Sequence, residues 1–184
     1  MTFAERHTVG GYACGEVASA LQKCIRRGLE RDALFWATEL DLSGFGEYVW
    51  KRLRIIASED VGTAAPMVAG IVRSLFENWK DQRRKDDTKH EPERLFLIHA
   101  VQLLCRAEKS RNVDHALIVF YEGERTAREI PDFALDRHTS RGRSRRRGWA
   151  HFWKEGARLA VGPPVDYETE AHAIRRDLQT EFNL

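Results

Sequence analysis

Apolar residues recur along this chain at three- and four-residue intervals, in blocks separated by glycine, proline or dense charge. Val17, Ala20, Leu21, Cys24 and Ile25 fall on one helical face. Gly28 stands where a C-terminal cap would end that helix, with Lys23, Arg26 and Arg27 in the last turn to suit its dipole. A second helix is predicted from about Glu30, with Ala33, Leu34, Ala37 and Leu40 inward and Trp36 at the edge, ending in Ser43-Gly44-Phe45-Gly46. Glu47 opens a third, which carries Val49, Leu53 and Ile56 into a corner at Ser58-Glu59-Asp60-Val61-Gly62. Pro66 sits in the first turn of a fourth, where its missing N–H costs nothing, and Val68, Ile71, Val72, Leu75, Phe76 and Trp79 carry that helix to about Lys80.

Residues 81–91 hold no apolar side chain and read as a solvated loop or a helical extension. Pro92-Glu93 restarts a helix that is apolar almost all round from Leu95 to Cys105, the pattern of a helix at the centre of a bundle. His99 within it is expected to be a bonded core histidine. Asn112 is placed to cap a helix bearing Val113, Ala116, Leu117 and Phe120, and Ile130-Pro131 breaks that pattern. The run from Ala116 to Tyr121 also fits a buried strand, but no second strand exists to pair with it. Phe133 to Asp136 gives a turn or two, Trp149, Phe152, Trp153 and Ala157 mark a later helix ending at Gly162-Pro163-Pro164, and Asp166 caps a last short one. Gly10, Gly11 and Gly15 make residues 1–15 a flexible arm, leaving 16–184 as the helical domain. The fold expected is all-α, a single-domain helical bundle of about seven helices.

Composition adds limits. With 184 residues, 42% hydrophobic and 32% charged, the chain suits one domain with a real core. No apolar run approaches the ~18 to 20 residues that span a bilayer and no secretory signal core is visible, so a cytoplasmic, non-membrane protein is expected. Three cysteines without C-x-x-C spacing argue against a disulfide framework or zinc knuckle, and Cys24 and Cys105 read as small core residues. The chain lacks a P-loop, a dinucleotide-binding glycine motif, H-E-x-x-H and G-x-S-x-G, so neither catalytic residues nor a metal nor a cofactor is assigned.

Two stretches carry possible function. Glu59 and Asp60 oppose the dipole of the helix they end, so they need partners. The expectation is a structural clasp of Ser58, Glu59 and Asp60 with Arg54, or with Arg52, rather than an acid/base or metal pair. The other stretch is residues 137–148, an exposed basic loop with six arginines in eleven positions: Arg137, Arg141, Arg143, Arg145, Arg146 and Arg147. Guanidinium groups on a Gly/Ser backbone suit phosphate oxygens, and Trp149 beside them suits stacking on an unpaired base. The same arginines also suit an acidic protein surface, and flanking His138 or His151 leaves open a small phosphodiesterase-type enzyme. Trp36, Trp50, Trp79 and Trp153 are candidates for a contact face or for edge-of-core packing.

Several segments together resemble the C-terminal region of the replication-associated recombination AAA+ ATPases, the family that includes the Werner-helicase-interacting proteins and is related to clamp loaders. They are Lys23 to Gly28, Asp32-Ala33-Leu34-Phe35-Trp36, and Arg54 to Gly62 with Ala65-Pro66 following; Pro92-Glu93, Ala107-Glu108-Lys109-Ser110 and Ile130-Pro131 are weaker echoes. The resemblance runs from about residue 17 to residue 131 and implies a collar-like helical domain that assembles subunits and accompanies action at stalled replication forks. The family's ATPase core is not found in this sequence, so ATP hydrolysis is not carried over. The function expected is a non-catalytic interaction and oligomerisation module in DNA replication or repair that contacts nucleic acid through the arginine loop. Its alternative is a purely protein-binding adaptor for an AAA+ ATPase, and a homo-oligomer is a further expected partner state.

Overall fold

A computed structural model describes residues 2–83, 91–160, 167 and 171–175. Among these residues there is no β-strand, only a lone antiparallel bridge between His7 and Ala13, and the chain is all-helical as expected. The residues cluster into two compact units, 1–125 and 126–184. The expected cap at Asp166, the middle of the loop at 84–90 and the end of the helix at 161–164 lie outside the described residues.

The first unit holds α1 (Cys14–Arg27), α2 (Glu30–Leu40), α3 (Gly46–Ile56), α4 (Val68–Arg83), α5 (Glu93–Arg106) and α6 (Asn112–Leu117). Helix α1 ends where its sequence says it should, because Gly28 takes the left-handed conformation at φ 70° and returns its N–H to Cys24 and Ile25 carbonyls. Helix α5 packs on α1, α2, α3 and α4 and is the central helix that its composition suggests. Leu97, Ala100, Val101 and Leu104 on it are at most 1% exposed, and each leucine contributes about 1.5–3 kcal/mol of burial. Its outer stripe, however, is open: Leu95 and His99 are exposed, so His99 is not the core histidine expected. The stripe runs 95, 99, 102, 106, and its last two members turn outward to hold Glu30 of α2.

Trp50 on α3 and Phe76 and Trp79 on α4 form one buried aromatic group, with Trp50 5.6 Å from Phe76 and 5.9 Å from Trp79 between ring centres. Trp50 and Trp79 are therefore core residues and offer no contact face. Trp36 is half-buried, with the Tyr12 ring edge against it. Cys14 and Cys105 are buried and Cys24 half-buried, all as free thiols, and burial pushes Cys105 up to about 11.

The arm expected at residues 1–15 is instead tied to the bundle. Gly11, at φ 83°, makes the tight turn that lets Thr8 N–H bond the Tyr12 carbonyl at 2.9 Å, and Gly10 N–H donates to Glu39 at 2.7 Å. Phe3 stacks on Tyr48 at 3.8 Å. The glycines serve a turn rather than disorder, and α1 begins at Cys14 through Gly15.

The 116–121 run is helical, as its spacing favours. Helix α6 continues through a wide turn at Ile118–Glu122, which the Gly123 N–H closes on the Ile118 carbonyl, well before Ile130-Pro131. Asn112 is the first helical residue, and Ser110 Oγ rather than the Asn112 side chain accepts its N–H. In the second unit a single turn at Asp132–Ala134 precedes α7 (Ser140–Ser144), then α8 (Trp149–His151), extended by Phe152–Gly156; residues 171–175 are also helical. No described helix is long and apolar enough to cross a membrane.

Candidate nucleic-acid interface

The basic stretch is not a shapeless loop. Thr139 caps α7, its hydroxyl accepting the Gly142 N–H at 3.0 Å, while its own O–H donates to the Asp136 carbonyl at 3.0 Å. Gly142 is buried against that same carbonyl: a Cβ there would lie 1.6 Å from the Asp136 oxygen, so only glycine permits the turn to close. The alternation of Thr, Ser and Gly with arginine therefore builds a turn as well as solvating one.

The turn divides the six arginines. Arg147 faces inward, its side chain 17% exposed, and grips the Asp132 carboxylate with bonds of 2.7 and 2.6 Å while also donating to the Asp132 and Leu135 carbonyls at 2.7 Å each. Arg145 joins the same carboxylate at 2.7 Å. The Arg147 hydrogen bond holds the Asp132 carboxyl below its usual range. Arg137 lies over the Trp149 ring at 3.9 Å. Those three are occupied within the unit, and Arg137 and Arg147 are half-buried where the whole stretch was expected to be exposed. Arg141, Arg143 and Arg146 are exposed and have no ion pair among the described residues; Arg143 bonds only the His138 carbonyl and the Ser140 hydroxyl. Arg146 stands at φ 56°, a left-handed conformation uncommon outside glycine, at the tip of the turn.

Trp149 is not the open stacking platform expected of it. Arg137 at 3.9 Å and Arg175 at 4.7 Å lie over its ring, and Trp153 stacks on it nearly parallel, at 5.7 Å and 19°. A base would have to displace a guanidinium to reach it. His138 accepts orientation from Asp136, which takes its backbone N–H at 2.9 Å and meets its Nδ1 at 3.0 Å. That hydrogen bond is the main reason the Asp136 carboxyl lies below the usual range. The His138 ring is edge-on to Trp149 and Phe152, and His151 Nδ1 is buried with no hydrogen-bond partner among the described residues. Asp132 and Asp136 escaped the sequence reading; the signal for them was local, two carboxylates directly upstream of a cationic run.

The carboxylate corner is a clasp, but with different partners from those expected. Asp60 is fully buried; Arg26 Nε of α1 reaches it at 2.5 Å and Gln22 Nε2 at 3.1 Å, while Arg26 also takes Glu59 at 3.1 Å. Arg52 bonds Gln22 and so joins the network at second hand. Arg54 does not enter it: its guanidinium lies 4.4 Å over the Phe76 ring and its Nε bonds the Trp50 carbonyl. Ser58 is exposed. Arg26, expected only to suit the dipole in the last turn of α1, reaches a residue 34 positions later. Among the described residues no three His, Cys, Asp or Glu side chains gather as metal ligands.

No family model matches the chain. Replication-associated recombination protein A of Haemophilus influenzae is 32% identical over 124 residues, which is 67% of this chain and 26% of that protein. The protein of the same name from Bacillus subtilis is 29% identical over 136 residues, 72% of this chain and 30% of its own length. The chain thus spans less than a third of the curated relatives it matches. Over that span it is similar to the C-terminal region of the replication-associated recombination proteins, the resemblance first read from Lys23 to Gly28 and Arg54 to Gly62.

Proposed function

We propose that this chain is a non-catalytic helical interaction module acting in the cytoplasm in DNA replication, recombination or repair, and that it contacts nucleic acid through Arg141, Arg143 and Arg146. The observation that carries this reading is the division of labour in the turn: three arginines and a buried glycine hold it rigid, and three others project from it without carboxylate partners among the described residues. Arginines carried on an ordered backbone lose less freedom on meeting phosphates than those on an unstructured chain. Because Trp149 is covered by Arg137 and Arg175, backbone contact is favoured over base stacking. No cofactor enters this reading.

A salt titration on single- and double-stranded DNA tests it. Changing Arg141, Arg143 and Arg146 together to serine should flatten the duplex log–log salt slope by about two to three units, since each phosphate contact accounts for about 0.9. No binding to either form at low salt overturns the reading, and turnover of a phosphodiester lost in His138→Ala would overturn the non-catalytic part. A second reading, as an adaptor for an AAA+ ATPase or a self-associating module, is favoured by the exposed run Leu117, Ile118, Val119, Phe120 and Tyr121. Light scattering that finds only monomer, alone and with such an ATPase, removes it.

A further inference from the structure

A groove of about 470 Å³ lies between α3 and α6, within the about 300–1,000 Å³ range of ligand sites. Ile55, Val113 and Leu117 supply its apolar floor, and all three are more than a third exposed. Four charges rim it, two of each sign, so a simple tally makes it neutral. Their partners change that tally. Glu59 is held by Arg26 at 3.1 Å and lies 3.9 Å from Arg111, and Asp114 is paired with Arg111. Arg26 and Arg111 thus engage both carboxylates, with Arg26 shared with the buried Asp60, so that with Lys51 and Arg54 four cations stand against three carboxylates. Lys51 is exposed, and neither it nor Arg54 has an ion pair among the described residues. Arg54 is nonetheless fixed in place, with its guanidinium on the Phe76 ring and its Nε on the Trp50 carbonyl, so its terminal nitrogens are presented without being consumed. The groove therefore offers two cations that have no ion pair among the described residues, one of them pre-oriented, beside an apolar floor.

We propose that this groove docks an acidic, apolar-anchored peptide segment of a partner protein, with an apolar side chain on Ile55, Val113 and Leu117 and a carboxylate on Lys51 and Arg54. A carboxylate matches the guanidinium fork, and the apolar floor gives the same segment an anchor that a nucleic-acid backbone lacks. This site lies wholly within residues 51–117 and shares no residue with the arginine turn, so either reading survives the failure of the other.

The test uses the full chain and a fluorescein-labelled short peptide in which Asp alternates with Phe and Leu, read by fluorescence anisotropy. Lys51→Glu should weaken binding at least about tenfold and Lys51→Arg should leave it unchanged. Leu117→Ser should weaken it several-fold, and so should replacing Phe and Leu of the peptide by Gly. Circular dichroism confirms that each variant is folded, as expected for two exposed positions. Equal binding of the peptide without apolar residues, no response to Lys51→Glu, or no binding at millimolar peptide would each overturn the proposal. So would competition by a DNA oligonucleotide that Lys51→Glu abolishes while Arg141→Ser does not, which would assign the groove to nucleic acid. If light scattering shows a dimer that Leu117→Ser dissociates, a second copy occupies the groove and the proposal also falls.

Discussion

At the residue scale, Asp60 is the polar group on which most depends. It is fully buried, and its two oxygens are satisfied by Arg26 and Gln22 while its carbonyl takes the Ser110 N–H at 3.0 Å. Removing one member of a buried pair leaves the other without its counter-charge, at about 3–5 kcal/mol. Arg26 keeps 29% of its side chain in water, so Asp60→Ala should fall near the low end, about 3 kcal/mol, in urea unfolding. A loss below about 1 kcal/mol would show that the clasp contributes little. That Asp60 needed a cation was legible in the sequence, because a carboxylate at a helix C-terminus is unfavourable unless paired. Which cation was not legible. Arg54 and Arg52 are near in sequence, yet Arg54 points to Phe76, and packing of α1 against α3 brings Arg26 instead. His99 shows the same limit, since a helix with apolar residues on every side leaves the identity of its outer stripe to the neighbours.

At the scale of the element, the helices were readable because periodicity and caps are local. Gly28 and Gly44 both stand in left-handed conformation at helix ends, at φ 70° and 82°, as the sequence breaks at those positions imply. Residues 1–15 were not readable, because glycine serves a tight turn and a loose chain equally well until its hydrogen-bond partners are known. The arginine turn has the same ambiguity with a sharper consequence. A methyl group at position 142 would overlap the Asp136 carbonyl at 1.6 Å and crowd the Leu135 carbonyl at 2.8 Å, and no side-chain rotation relieves a backbone clash. Gly142→Ala should therefore cost at least the upper end of the ~1–3 kcal/mol typical of overpacking. If a rigid turn presents the free arginines, this substitution also weakens DNA binding severalfold with every charge retained. Undiminished binding in Gly142→Ala would mean that the arginines act without the turn's geometry.

At the scale of the molecule, every member of the main buried hydrophobic cluster comes from between Cys14 and Cys105. A chain ending after Arg125 therefore keeps that whole core, and it should unfold in a single cooperative transition with a midpoint close to that of the full chain. Gradual melting of the shortened chain would show that the core needs residues beyond 125. Each unit holds a close pair of indoles. Trp50 and Trp79 lie 5.9 Å apart with their rings inclined by 54°, whereas Trp149 and Trp153 lie 5.7 Å apart and only 19° from parallel. Neighbouring indoles share their excited states, and the shared state rotates light when their transition dipoles are skewed about the line that joins them. The Trp50–Trp79 pair, 5.9 Å apart in the core of residues 1–125, thus contributes a paired positive and negative band to the circular dichroism of the protein. That couplet is a built-in spectroscopic signature of the Trp50 core, present in the shortened chain and lost when α3 and α4 part.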